Sequence, residues 1–196
     1  LCGTVSGWAQ KLVTSVQEGK YYTLECNSSQ DHSTTRFLGE NAYGLNGKSA
    51  KPTYLIFEAT TGGYFVKSSL TGMYLNQGES LGGDKYAVAY STDKTTVWTV
   101  GKLAVDATDI YLTIGDSKLY LNNNSDNAQK LQIVKHNAIG TGNACSLWEM
   151  REHEDGYKVI ESIGDNITDL NQLADGSYVV FYNAGRQKYI YEGTHD

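Results

Sequence analysis

The histidines and cysteines carry the most versatile chemistry in this sequence, and their spacing predicts neither a metal centre nor an activated nucleophile. The four histidines, which show no HExxH or other paired-ligand spacing, are His32, His136, His153 and His195. Cys26 and Cys145 form no CxxC motif, and the chain has no GxSxG and no phosphate-binding loop. No pattern marks a glycosidase-type pair of carboxylates. We therefore expect a region that is not itself an enzyme and needs no cofactor or metal.

The composition of the chain limits the classes of partner that it can bind. Its net charge of −6 and its scattered Lys and Arg argue against a nucleic-acid partner. No run of 18 apolar residues is present, so no transmembrane helix is predicted.

The elements that would position functional residues are predicted to be short strands. The composition includes 21 glycines and a single proline, Pro52, with many Thr, Val, Asn and Ser residues and little helical periodicity. Short alternating runs such as Tyr21–Cys26 are separated by clusters of turn-forming residues. We assign one such cluster, residues 44–48, to a turn because it contains two glycines and an asparagine. The fold class predicted from these features is all-β.

Two elements recur along the chain and divide it into three imperfect repeats. The clearest is a strand that begins with a hydroxyl residue and carries bulky residues at its third and fifth positions, residues 53–57, 96–100 and 146–150. The residue at its third position is Leu55, Trp98 and Trp148 in the three copies, so successive copies are 43 and 50 residues apart. A repeat of this length can hold about four short strands. Upstream of each copy lies an aromatic–Leu–small element, residues 37–39, 74–76 and 120–122.

Three four-strand units that each end in an apolar strand resemble a β-trefoil, and the ricin-B-type lectin family in particular. The resemblance covers about residues 13–150 and rests on Trp98 and Trp148, which occupy the same place in two repeats. The family has Gln two places before this Trp, whereas Thr96 and Ser146 stand there in this chain. The resemblance implies a barrel closed by pairing of the first strand with the last.

The same resemblance implies candidate residues for carbohydrate binding. In the family, a carboxylate after the second strand fixes the sugar hydroxyls, an aromatic on the third strand stacks on the ring, and the next loop adds polar groups. The matching positions, in the second and then the third repeat, are Asn76, Tyr90 and Asp93, followed by Asn122, His136 and Asn137. The third repeat shows no clear stacking aromatic. The first has Gly39 at the polar position and is expected not to bind.

The resemblance also implies that Cys26 and Cys145 lie close together, because Cys26 ends the first strand of the barrel and Cys145 begins the last. We predict a disulfide between them, with two separate buried thiols as the alternative.

The two ends of the sequence are expected to differ from the trefoil domain, residues 11–160. Residues 1–10 are typical of the end of a secretory signal peptide of bacterial kind, so the protein is predicted to be secreted, periplasmic or on the cell surface. An ordinary first strand, or a lipoprotein signal acylated at Cys2, are the alternatives. Residues 161–196 resemble the start of the mature chain, which predicts a linker and a second, incomplete β module with further domains beyond. A C-terminal extension packed on one domain is the alternative.

The function predicted for the trefoil is non-catalytic binding of glycans or polysaccharide. Two other classes stay open. The trefoil could be a structural or protein-binding accessory domain of a larger secreted glycoside hydrolase or peptidase, or it could bind a protease through an exposed loop, as inhibitors of this fold do.

Overall fold

The structure is a computed structural model that describes residues 11–26, 37–41, 44–49, 52–123, 131–153, 181–183 and 188–190. The chain divides into two compact units, Leu1–Val159 and Ile160–Asp196. The predicted signal segment, residues 1–10, and most of the predicted second module lie outside the described residues, so the domain bounds stay predictions. In the second unit, the described residues form one antiparallel pair of strands, Phe181–Asn183 and Lys188–Ile190.

The described strands of the first unit follow the three repeats. Strand β1 is Lys11–Val13. The first repeat contains β2 (Tyr21–Cys26), β3 (Phe37–Asn41), β4 (Gly44–Ser49) and β5 (Leu55–Thr60). The second contains β6 (Gly63–Ser68), β7 (Tyr74–Gly82), β8 (Lys85–Ser91) and β9 (Trp98–Lys102). The third contains β10 (Ile110–Ile114), β11 (Leu119–Asn123), β12 (Leu131–Lys135), a 3-10 helix (Thr141–Ser146) and β13 (Trp148–His153).

The first and last strands of each repeat form a closed six-stranded antiparallel barrel. Strand β2 pairs with β5, β5 with β6, β6 with β9, β9 with β10 and β10 with β13. Strand β13 then pairs with β2, from Trp148 opposite Cys26 to His153 opposite Tyr21, and closes the ring. Closure leaves no unpaired edge in the barrel. Strand β1 pairs with β13 as an additional strand.

The two middle strands of each repeat form a hairpin beside the barrel. The three hairpins are β3–β4, β7–β8 and β11–β12, and each is joined to the first strand of its own repeat. The second and third hairpins also pair with each other through β8 and β12. Six barrel strands with one hairpin per repeat are the architecture of a β-trefoil. The all-β, β-trefoil prediction is confirmed.

The recurring elements of the sequence meet inside this core. Along β13, Trp148 and Met150 are buried while Glu149 and Arg151 lie at the surface, as the two-residue period of a strand requires. Trp98 is fully buried, and its Nε1 donates a hydrogen bond to the Leu75 carbonyl oxygen at 2.7 Å. Trp148 donates in the same way to Leu121 at 3.3 Å. In these two repeats the Trp side chain therefore donates a hydrogen bond to the backbone of the aromatic–Leu–small element of its own repeat.

The assignment of residues 44–48 to a turn was wrong, because they belong to strand β4. Leu45 is buried in the core and pairs with Glu40 across the hairpin. A Cβ atom on Gly47 would lie 2.4 Å from Asn123 Oδ1 and 3.3 Å from Leu131 Cδ2. This glycine therefore lets the first hairpin approach the third closely, and it does not serve a reverse turn.

Candidate functional site

In the third repeat, two of the predicted binding residues meet at one serine hydroxyl. Asn122 lies on β11 and donates from Nδ2 to Ser146 Oγ at 2.8 Å. His136 directly follows β12, and its Nε2 lies 3.1 Å from the same oxygen. Ser146 ends the 3-10 helix and is fully buried. The hydroxyl therefore connects the hairpin to the segment that precedes β13.

The hydrogen bonds around His136 define its tautomer. The Asn143 side chain accepts from the Gly140 backbone N–H through Oδ1 at 3.0 Å, which leaves its Nδ2 facing His136 Nδ1 at 3.3 Å. Since an amide NH₂ can only donate, Nδ1 is the acceptor and Nε2 carries the proton. The Nε2–H group then donates to Ser146 Oγ. Burial lowers the pKa of His136, which agrees with a neutral ring.

A row of aromatic rings lies beside this polar network. The Tyr120 ring packs against His136 with centroids 5.5 Å apart and against Tyr111 edge-on at 5.4 Å. Tyr120 is largely buried, whereas Tyr111 is partly exposed. Tyr111 pairs with Gly101 on β9, where a Cβ atom would lie 2.4 Å from Tyr111 Cζ. The absent side chain of Gly101 therefore lets the tyrosine ring lie over the backbone of β9.

Asn137 is exposed directly after His136. The network formed by Asn122, His136, Asn143 and Ser146, together with exposed Asn137 and the Tyr111–Tyr120 ring pair, is the third-repeat site. It combines amide, imidazole and hydroxyl groups with an aromatic surface. The sequence indicates no clear stacking aromatic for this repeat, because Tyr111 lies on the first strand and the resemblance points only to the third.

In the second repeat, Asn76 is buried and serves the protein's own structure. Its side chain is 2% exposed. Its Nδ2 donates to the Asp93 carbonyl oxygen at 2.9 Å and to Ser91 Oγ at 3.1 Å, and its Oδ1 accepts from the backbone N–H groups of Thr95 and Thr96 at 3.2 and 3.1 Å. These bonds hold the loop between β8 and β9. The Asn76 side chain is thus a positioning group for that loop.

The Tyr90 and Asn76 side chains do not face the same site. Across the β7–β8 hairpin, Tyr90 pairs with Leu75, whereas Asn76 pairs with Ala89. Directly opposed residues share a face and neighbouring residues alternate, so Tyr90 and Asn76 lie on opposite faces of the hairpin. The Tyr90 hydroxyl donates to the Leu45 carbonyl oxygen, and burial raises the Tyr90 pKa well above its ordinary value.

Asp93 is exposed, and its backbone rather than its carboxylate is bound to Asn76. The structure therefore brings Asn76 and Asp93 together through the loop, brings Asn122 and His136 together through Ser146, and separates Tyr90 from both groups. The binding roles of all six residues stay predictions.

The hydroxyl residues two places before Trp98 and Trp148 have a role that was not predicted from the sequence. The Gln77 backbone N–H donates a hydrogen bond to Thr96 Oγ1 at 2.7 Å. Ser146 Oγ accepts hydrogen bonds from the Asn122 and His136 side chains. In both repeats this hydroxyl ties the second strand of the repeat to the start of its last strand. The recurrence of a hydroxyl at this position was the available signal.

Cys26 and Cys145 lie side by side where the barrel closes. Cys26 Sγ is 3.6 Å from the Ala144 carbonyl oxygen and 3.7 Å from that of Cys145. The disulfide between them stays a prediction.

The described ranges hold neither a cluster of metal ligands nor a membrane-spanning helix. Within them, no three His, Cys, Asp or Glu side chains group as metal ligands would. Nor does any helix among the described residues have the length and apolar character needed to cross a membrane.

Comparison with known proteins adds support for the fold. No protein-family model matches the sequence, and a search of curated proteins finds no match either. Among solved structures, a Culex salivary protein of the Cysteine and Tryptophan-Rich (CWRC) family matches with a TM-score of 0.54 and 10% identity, over 71% of this chain and 97% of that one. The ricin B-like lectin of Macrolepiota procera, solved with lactose, matches with a TM-score of 0.48 and 13% identity, over 70% of this chain and 98% of that one. The salivary-protein likeness supports the fold alone.

Proposed function

We propose that this chain binds carbohydrate without catalysis, through the third-repeat site. The observation that carries the proposal is the position of Asn122 and His136 on the third hairpin, and of Asn143 in the 3-10 helix, beside the Tyr111–Tyr120 ring pair. Polar groups held in place next to an aromatic surface are what a sugar ring requires, because one of its faces is apolar and its rim carries hydroxyls.

The second repeat supports this function less well. Asn76 is buried and its amide is fully engaged by the loop between β8 and β9. Tyr90, the candidate stacking ring, lies on the other face of the hairpin. We therefore assign carbohydrate binding to the third repeat. The partners we propose are glycans or polysaccharide, and we propose an exported protein as the setting.

The test is a glycan-array screen of the full chain with two variants of the site. Asn137→Ala removes an exposed amide, and Gly101→Ala forces the Tyr111 ring from its place over β9. We expect saturable binding that weakens about tenfold in Asn137→Ala, which corresponds to about 1.4 kcal/mol, the size of one hydrogen bond. Gly101→Ala should weaken it as well. Asp116→Ala, on the exposed turn between β10 and β11, is the control and should bind like the unchanged protein.

Two results would contradict the proposal. One is a silent array from protein whose buried Trp98 and Trp148 show native fluorescence. The other is glycan binding that both site variants leave unchanged. A stable complex with a protease that sugars do not disturb would favour the inhibitor alternative.

A further inference from the structure

A second group of side chains outside the third-repeat site has the composition of a binding site for organic cations. Glu58, Phe65 and Tyr74 lie on β5, β6 and β7, and we call these three residues the ammonium cage. Strand register brings them together, because Glu58 pairs with Phe65, and Tyr74 pairs with Lys67, which lies two residues beyond Phe65 on the same face of β6. The side chains therefore share the outer surface of three neighbouring strands.

The cage is occupied by an ammonium group of the protein itself. Lys94 Nζ lies 2.7 Å from Glu58 Oε2, 5.2 Å from the centroid of the Tyr74 ring and 5.7 Å from that of Phe65. A carboxylate and the faces of two aromatic rings around one cation combine ion pairing with cation–π attraction. The Lys94 side chain comes from an exposed loop and remains 48% exposed. It thus covers the cage from the solvent side.

Contacts other than those of Lys94 also hold the three side chains of the cage in place. The Tyr74 hydroxyl donates to Glu58 Oε2 at 2.9 Å, and the Tyr74 and Phe65 rings pack edge-on at 6.4 Å. Lys67 Nζ holds the other carboxylate oxygen, Glu58 Oε1, at 2.5 Å. Burial alone would raise the pKa of Glu58, but hydrogen bonds from Lys67, Lys94 and Tyr74 outweigh it and lower the pKa to about 2. The carboxylate is therefore charged at neutral pH.

Displacement of Lys94 needs only a movement of its side chain. The backbone of its loop is held by Asn76, which binds the Asp93 carbonyl oxygen and the Thr95 and Thr96 N–H groups. Rotamer changes of an exposed lysine take picoseconds to nanoseconds, far less time than the opening of a loop. The loop can stay in place while its ammonium group leaves the cage.

From this geometry we propose that the ammonium cage binds a protonated primary amine of a ligand, which replaces Lys94 on Glu58 Oε2. A primary ammonium suits the site because it donates a hydrogen bond to the carboxylate as Lys94 does, which a quaternary ammonium cannot do. The amine can belong to an amino sugar or to a lysine side chain. The inference does not depend on the proposed carbohydrate site, because that site lies in the third repeat.

The test uses the full chain and compares each amine with its acetylated form. Glucosamine is titrated against N-acetylglucosamine, and Nα-acetyl-lysine amide against the same compound acetylated at Nε, while NMR follows the ring signals of Phe65 and Tyr74. Lys94→Ala is the opened variant, and Lys94→Ala/Glu58→Gln lacks the carboxylate as well. Lys85→Ala, on the exposed end of β8, is the matched lysine control.

We expect the free amines to shift both rings and Lys94→Ala to bind them more tightly than the unchanged protein. The apparent Kd of a site equals its intrinsic Kd divided by the open fraction, so if Lys94 fills the cage for about 90% of the time, its removal lowers the apparent Kd about tenfold. Lys85→Ala should not change the affinity, and the double variant should lose binding. A response to glucosamine alone would identify amino sugars, and one to the lysine compound alone would identify peptides.

Three results would overturn the inference. The first is a Lys94→Ala protein with native Trp signals whose Phe65 and Tyr74 rings respond to neither amine. The second is equal binding of the acetylated compounds, and the third is binding that survives in the double variant.

Discussion

At the scale of single residues, the buried and hydrogen-bonded His136 makes the free energy of unfolding depend on pH. Its folded-state pKa lies below the ordinary 6.5 because of burial, so the neutral ring is the form that suits the fold. The contribution of His136 to the free energy of unfolding is then complete above pH 6.5 and is lost as the pH drops from 6.5 to the folded-state pKa, since the unfolded chain takes up the proton first. The protonated ring would also direct an N–H group at the Asn143 amide. Urea unfolding at pH 7.5 and 5.0 should show this loss.

His136→Gln should reduce that pH dependence without abolishing it, because burial and Arg151 lower the pKa of His153 as well. Glu58 does not contribute in this range, since its stabilisation is lost only between its ordinary pKa of 4.5 and its folded-state value of about 2. The prediction would be contradicted by an unfolding free energy that is the same at both pH values. It would also be contradicted if His136→Gln and the unchanged protein lost the same unfolding free energy between pH 7.5 and 5.0.

At the scale of elements, the contact between the first and third hairpins depends on the missing side chain of Gly47. Gly47→Ala would put a Cβ atom 2.4 Å from Oδ1 of the buried Asn123, so this side chain or the strand that carries it must shift. Overpacking of this kind costs about 1–3 kcal/mol of unfolding free energy. Gly140→Ala is a matched control, because no atom lies within 4 Å of its added Cβ and its backbone is extended, with φ of −156°. It should change stability by about 0.5 kcal/mol or less.

Denaturant unfolding followed by Trp fluorescence compares the two glycine variants, and Gly47→Ala/Asn123→Ala adds a further check. The double variant should recover part of the loss, since it removes the atoms that the new Cβ meets. Equal stability of Gly47→Ala and Gly140→Ala would mean that the hairpins do not depend on this close approach.

At the scale of the whole molecule, the barrel closes between β2 and β13, and the predicted Cys26–Cys145 bond would link those strands covalently. The two cysteines are 119 residues apart. A disulfide around a loop of this length stabilises the fold by about 5 kcal/mol in the chain-entropy treatment. Protein made in an oxidising compartment should therefore lose stability when reduced, whereas Cys26→Ser should not respond to reductant. Titration of both thiols in unfolded, non-reduced protein would contradict the bond.

The sequence by itself determined the fold class and the number of repeats. Trp98 and Trp148 recur with a hydroxyl residue two places before them and a Leu-containing element upstream. Such regularities survive because each repeat must fill the same kind of core with a strand of period two. The pairing of the first barrel strand with the last follows from the same architecture.

Only the tertiary structure decided which side chains meet. Strand β4 contains turn-forming residues but pairs with β3, and its Gly47 packs closely against Asn123 of another repeat. The resemblance assigned Tyr90 and Asn76 to one binding site, whereas the register of the β7–β8 hairpin puts them on opposite faces. The ammonium cage depends on pairings among β5, β6 and β7 and on a lysine from a distant loop. The physical reason is that the sequence determines which residues alternate within a strand, whereas the face that each residue shares with its neighbours is set by register and packing between strands.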